Sequence, residues 1–301
     1  MADAKPSTPG ISAPPIPPLV GGSPEEVARG VFVVPDHRVP LVPNVGVIVG
    51  DRAALVVDTG MGPRNGAFVR RIAEDLAGDR PLYLTLTHFH PEHGYGAQAF
   101  RDTTILYNRT QHEEFRDKAR SYLEMFRGLL GEGAGELEGV EFVQPQVVYD
   151  GGADLDLGGR LVQLRSHGPA HSRGDQVVFL PADGVLFTGD LVETRLFPIF
   201  PLFPPHDTDV DGSRWIGVLE ELQHLDPKVV VPGHGELGDA TLLGTTQGYL
   251  WSLRAETGRL AAEGQDADAI IATLGPQIRA QYPDWGQPEW IPFGVRAFLA
   301  R

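Results

Sequence analysis

Between Thr87 and Gly94 the chain reads Thr87-His88-Phe89-His90-Pro91-Glu92-His93-Gly94, which puts three imidazoles and a carboxylate within six positions. Imidazole nitrogen and carboxylate oxygen together form a ligand set for a divalent transition metal. The chain has no cysteine, so thiolate ligands and disulfides are both excluded. Three further segments offer the same kind of residue among small neighbours: His171 in Gly168-Pro169-Ala170-His171-Ser172, Asp190 in Thr188-Gly189-Asp190, and His234 in Pro232-Gly233-His234-Gly235. Small neighbours let backbone segments approach closely. Taken singly, His171, Asp190 and His234 each read as a turn or a hydrogen-bonded surface group; a solvated loop would account for one histidine near His88, but not for four potential ligands in six residues. Their recurrence in one chain points instead to a single metal site that uses five of the ten histidines.

The elements that must position these residues are strands. Leu82-Tyr83-Leu84-Thr85-Leu86 is short, apolar and entered from Pro81, the pattern of a buried strand, so the histidine cluster begins where that strand ends. A ligand there is held by a rigid element yet open to substrate. His171 precedes a Val177–Leu180 run, Asp190 follows Val185–Phe187, and His234 follows Val229–Val231. Upstream, Val31–Val34, Val45–Val49 and Ala53–Val57 read as strands, with Gly50-Asp51-Arg52 as a hairpin turn. Further strands are predicted at Ile105–Tyr107, Val147–Tyr149 and Leu161–Leu164. Helical spacing covers Phe68–Leu76, Gln111–Leu130, Trp215–Leu225, Leu242–Glu263 and Asp266–Leu274, with a short helix closing the chain. Two strand-rich halves, each followed by helices, imply two sheets packed face to face with helices outside. Residues 1–24, rich in Pro, Ser and Ala, read as a disordered or extended arm, and 25–301 as one domain with a helical lid at 111–130 and a helical segment at 266–301.

Composition narrows the function classes. Forty acidic side chains against 25 basic ones give a formal charge of −15, which disfavours phosphate backbones, so no nucleic-acid partner is expected. No stretch reaches the roughly 18 apolar residues of a membrane span, and the N-terminus lacks a signal-peptide core. A cytoplasmic protein without a membrane partner is the expectation.

The order of His88-x-His90-x-Glu92-His93, His171, Asp190 and His234, with Asp58-Thr59-Gly60 upstream, resembles the metallo-β-lactamase-fold hydrolase superfamily over roughly residues 30–260. The resemblance implies an α+β fold, a four-layer αβ/βα sandwich, with a two-metal site at one edge of the sheets. Carried over by position, His88, His90 and His171 would bind one metal and Glu92, His93 and His234 the other, with Asp190 bridging the two. Asp58 resembles the family's carboxylate that steadies the ligand loop. Two Zn²⁺ per chain suit this set, and Fe or Mn would suit it too. The pair would lower the pKa of a shared water to give a dinuclear zinc-bound hydroxide, and would polarise the bond under attack. Glu92 departs from the family, which usually carries Asp there and uses it to shuttle a proton. The extra methylene adds roughly 1.5 Å of reach, and an adjusted two-metal site is the expected outcome. A Glu off the metal as pure acid/base, or a weakened second site, would be the other two. Glu92 and Asp190 are the expected catalytic carboxylates.

These residues imply a metallo-hydrolase acting on a small, apolar, ester-like substrate: a lactone, thioester, β-lactam or sulfate ester. Two other readings fit the same ligands: a mononuclear iron oxygenase of the persulfide dioxygenase type, using His88, His171 and Asp190, and a phosphodiesterase or nuclease of the same fold. The Phe- and Pro-rich segment Thr194–Pro205 follows Asp190 closely. It would either line a substrate pocket through Phe197, Phe200, Phe203 and His206, form a homodimer interface, or simply cover core.

Overall fold

A computed structural model describes residues 17–300. The first sheet has seven strands in sequence order: β1 (Glu25–Ala28), β2 (Val31–Val34), β3 (Val45–Val49), β4 (Ala54–Val57), β5 (Leu82–Thr85), β6 (Thr104–Asn108) and β7 (Val147–Tyr149). The second has five: β8 (Gly152–Asp156), β9 (Leu161–Ser166), β10 (Gln176–Leu180), β11 (Val185–Glu193) and β12 (Val229–His234), with β11 and β12 parallel and the rest antiparallel. In the first sheet, pairing is antiparallel up to β4 and parallel from β4 to β7. The helices are α1 (Gly62–Ala77), α2 (Pro91–Gly94), α3 (Arg109–Leu130), α4 (Gly212–Gln223), α5 (Thr241–Ala262), α6 (Ala267–Gln281) and α7 (Trp290–Leu299).

The central strands are continuous apolar runs because both of their faces are covered, and the period of two sends successive side chains to different cores. In β4, Leu55 and Val57 face the opposite sheet, while Ala54 and Val56 face α1. In β10, Val178 and Leu180 face the first sheet, and Val177 and Phe179 face the helices α4 to α7. The result is helix, sheet, sheet, helix, the expected αβ/βα sandwich. Phe187 of β11 crosses the sheet interface onto Gly46 of β3, where an added Cβ would stand 2.5 Å from the ring. Gly46 is required there to let the two sheets close.

Helices α3, α4 and α5 start and end within three residues of their predicted limits. Helix α1 begins at Gly62 rather than Phe68, where Gly and Pro hide the helical spacing, and α6 continues through Pro276 to Gln281 rather than stopping at Leu274. The one-turn α2 has no predicted counterpart, and neither do the strands β1 and β8. Both are edge strands with half-exposed patterns, Glu-Glu-Val-Ala and Gly-Ala-Asp-Leu-Asp, which carry little apolar signal. Residues 1–16 of the expected arm lie outside the described residues. The part that is described docks on the domain: Pro18 and Val20 are buried, the Val20 N–H donates to Asn65 Oδ1, and Asn65 Nδ2 donates to the Pro18 carbonyl. The predicted lid, α3, packs Phe115, Tyr122 and Phe126 against Met61, Phe89 and Tyr95 beside the histidine cluster. Among the described residues, no helix is long and apolar enough to cross a membrane.

Candidate metal centre

The four ligand-bearing segments leave neighbouring strand ends at one edge of the two sheets. β5 runs into the His88 loop and α2, β9 and β10 are joined by the turn that carries His171, Asp190 lies within β11, and His234 ends β12. Parallel pairing of β11 with β12 brings Gly189 opposite Pro232, so Asp190 and His234 share one end of the sheet. Gly233 makes room for this: an added Cβ would lie 1.9 Å from Asp190 Oδ1.

The side chains sort into two sets that share Asp190: His88, His90 and His171 in one, and Glu92, His93 and His234 in the other, all buried. In the first, His90 Nδ1 is 2.9 Å from His88 Nε2 and 3.0 Å from His171 Nε2. Asp190 Oδ2 faces this set, 3.8 Å from His88 Nε2 and 3.7 Å from His171 Nε2. Its other oxygen, Oδ1, faces the second set, 3.3 Å from His93 Nε2 and 3.6 Å from His234 Nε2. Ligand atoms about 2.0–2.1 Å from a tetrahedral Zn²⁺ stand about 3.3 Å apart, so these spacings fit one cation in each set.

A second observation supports that fit. Glu92 Oε2, His93 Nε2, His234 Nε2 and both oxygens of Asp190 are buried with no hydrogen-bond partner among the described residues. Burying so many polar atoms unpaired is costly, and one cation in each set would satisfy all of them. Burial, reinforced by neighbouring imidazoles, lowers the pKa of His88 and His90 well below the ordinary value and also lowers that of His171, which leaves neutral rings able to donate a lone pair. Burial opposes charge on Asp190 as well, but His93, His234 and His88 outweigh it and hold the carboxyl well below its usual range. Burial pushes the carboxyl of Glu92 up.

The nitrogens turned away from the centre are mostly tied down. Asp58, at φ +67°, accepts from the Thr87 N–H through Oδ1 at 2.8 Å, and through Oδ2 from the Thr87 hydroxyl and His93 Nδ1, each at 2.9 Å. His88 Nδ1 lies 3.1 Å from the Thr87 hydroxyl oxygen, His171 Nδ1 lies 2.9 Å from the Ile199 carbonyl, and His234 Nδ1 lies 2.8 Å from the Val42 carbonyl. Each of these bonds fixes the ring that carries it, together with its tautomer.

The expected aromatic pocket is distributed differently. Phe197 and Phe200 have no exposed surface and sit in the core beneath β11, Phe197 against Tyr249 and Trp285 and Phe200 against Trp215 and Phe298. Pro residues stop Thr194–Pro205 from forming a helix, but they leave it free to turn its Phe rings inward onto α4, α5 and α7. Phe203 is half-buried and reaches Tyr122 at 6.4 Å, whereas His206 is exposed. Sequence reasoning missed Glu193, a buried carboxylate that accepts from the Ile199 N–H through one oxygen and has no partner for the other among the described residues. Its position three residues after Asp190 is the only signal in the sequence. Tyr122, which lies on His90, was also missed.

Comparison with known proteins places the chain among relatives. The sequence model of the metallo-beta-lactamase superfamily matches residues 38–234. A bovine protein named acyl-coenzyme A thioesterase MBLAC2 is 29% identical over 214 residues, covering 64% of this chain and 72% of the relative. Its human counterpart is 28% identical over the same length. Among solved structures, a metallo-beta-lactamase from Pontibacter korlensis superposes with TM-score 0.58 at 20% identity, covering 76% of this chain and 98% of that one. The sec-alkylsulfatase Pisa1 from Pseudomonas sp. gives TM-score 0.67 at 15% identity, covering 92% of this chain and 49% of that one. At these identities the structural likenesses show the fold alone.

Proposed function

Since the chain belongs to the metallo-beta-lactamase superfamily of hydrolases, we propose that it is a two-metal thioester hydrolase, with an acyl-coenzyme A type of thioester as its substrate. The observation that carries the two-metal reading is Asp190, whose two oxygens are turned one to each ligand set with no other partner among the described residues. The thioester is supported by the relatives of about 29% identity that are named acyl-coenzyme A thioesterases.

His88, His90 and His171 would hold one cation, Glu92, His93 and His234 the other, and Asp190 both. Zn²⁺ bound there would supply Lewis-acid polarisation of the thioester carbonyl and a water acidic enough to react near neutral pH. Asp58, through Thr87 and His93, keeps the loop that carries four of the seven ligands in register. Glu92 fits as the second set's carboxylate despite its extra methylene, since one of its oxygens lies within 4.8 Å of the ligand atoms of His93, Asp190 and His234. A carboxylate has two oxygens, and the oxygen of Glu92 not turned to the second cation would hold the proton released by the attacking water. A thiolate leaves readily near neutral pH, so protonation of the departing sulfur is a light demand on that carboxyl.

The test is metal analysis of the purified protein, combined with hydrolysis assays on acyl-coenzyme A thioesters of increasing chain length, with and without chelator. The expected result is two Zn²⁺ per chain and thioester hydrolysis that chelation abolishes and Zn²⁺ restores. Hydrolysis that survives full metal removal would overturn the mechanism. Activity confined to lactones, sulfate esters or phosphodiesters would overturn the substrate, and iron with oxygen consumption would overturn the reaction class.

A further inference from the structure

Among the five histidines of the centre, His90 is held differently from the others. Its Nδ1 is turned inward to His88 and His171, so Nε2 lies on the outer side of the ring, buried and without a hydrogen-bond partner among the described residues. The other four rings each have a hydrogen bond on the outer nitrogen. Metal-binding histidines nearly always have such a partner, because a ring free to rotate about its last bond loses the ligand geometry. At His90 an aromatic surface takes that place. The Tyr122 ring lies nearly parallel to the imidazole, with centroids 5.2 Å apart and an interplanar angle of 18°. Phe89 meets the same imidazole edge-on at 4.7 Å.

Tyr122 is itself fixed from the far side. Its hydroxyl donates to Asp207 Oδ2, and Asp207 Oδ1 accepts from Lys118 Nζ at 2.8 Å. Lys118 also bonds Glu114 at 2.7 Å and Asp209 at 2.8 Å, so one buried ammonium gathers three carboxylates from α3 and the 207–209 turn. Glu114 in turn accepts from the N–H groups of Arg173 and Gly174, in the turn that carries His171. These three carboxylates have the spacing of a cation site, and the lysine occupies it. Helix α3 is thereby pinned to two other segments, with Tyr122 at the pinned face.

We propose that Tyr122 is the positioning residue for His90: its stacked ring, anchored through Asp207 and Lys118, sets the imidazole plane that a hydrogen bond sets for the other four histidines. This rests on the two-metal reading above. It predicts that the ring, not the hydroxyl, carries most of the effect, and that the effect falls on one metal only.

Stepwise removal of metal from the holoprotein by a chromophoric chelator tests this in wild type, Tyr122→Phe, Tyr122→Leu, and Tyr122→Leu combined with His90→Ala or with His234→Ala. In Tyr122→Leu, one metal should be lost about 10–100-fold more readily and the other retained as in wild type, while Tyr122→Phe should stay within a few-fold of wild type. Tyr122→Leu should add nothing once His90 is alanine, and should keep its full effect when His234 is alanine. Equal weakening of both metals, or no weakening with two metals bound, overturns the role of Tyr122 and leaves the two-metal reading standing. Wild-type holoprotein without bound metal overturns both.

Discussion

Replacing Asp58 by Asn tests whether the carboxylate beneath the ligand loop sets the tautomer of His93. Asp58 is buried and accepts three hydrogen bonds, from the Thr87 N–H, the Thr87 hydroxyl and His93 Nδ1. An Asn amide has nearly the same shape, keeps one acceptor for the Thr87 N–H, and tolerates the φ of +67°. Its NH₂ would face Thr87 and His93 instead. The Thr hydroxyl can reverse and accept, but His93 Nδ1 cannot donate to a donor. The ring then favours the tautomer with its proton on Nε2, the nitrogen turned toward Asp190 Oδ1. The loss is on the order of one hydrogen bond to a charged acceptor, about 1.5–3 kcal/mol of stability. Metal affinity in the His93 set should fall about 10–100-fold. Asp58→Ala would leave all three donors unpaired and add roughly 1–2 kcal/mol of left-handed backbone strain, so it should be clearly less stable than Asn. Urea denaturation gives the first quantity and chelator competition the second. An Asp58→Asn protein with wild-type retention of both metals would refute the tautomer argument, and equal stability of Asn and Ala variants would refute the hydrogen-bond argument.

Two further predictions concern pH and core. Burial pushes the Asp175 carboxyl from 3.8 up to about 8, against the hydrogen bonds it accepts from the Ser172 N–H and hydroxyl. Between those values the folded chain keeps a proton that the unfolded chain has released, so stability falls as pH rises across this window. Asp175→Asn is neutral throughout and should give a shallower decline in urea midpoint from pH 4 to 8; an unchanged slope would refute the assignment. Phe200→Ala should cost about 3–5 kcal/mol as a core truncation, since the ring fills the space beside Trp215, Phe298 and Gly294. A variant of wild-type stability with altered substrate preference would instead place Phe200 at the substrate.

The candidate metal ligands are legible because their chemistry is local: His88, His90, Glu92 and His93 are marked by type and spacing, and His171, Asp190 and His234 by small residues beside strand ends. The sandwich is legible for a related reason, since strands buried on both faces must be written as unbroken apolar runs. Edge strands β1 and β8 escape because a half-exposed strand of four or five residues with two acidic side chains has no such constraint. The direction taken by Phe197 and Phe200 escapes as well, because an apolar loop next to a site can pack into the core beneath it or line the opening above it with the same residues.

What the sequence alone determined is therefore an inventory: which atoms can bind metal, in what order, and on what class of scaffold. Tertiary structure decided the contacts between segments far apart in the chain. It turned one oxygen of Asp190 to each ligand set, laid Tyr122 on His90 from 32 positions away, and brought Asp207 to Lys118 across 89. Such contacts depend on where strands and helices dock, and docking is fixed by the shared burial of four apolar clusters rather than by any one residue. Local chemistry can be read along the chain, but the orientation of a ligand is set by whatever packs behind it.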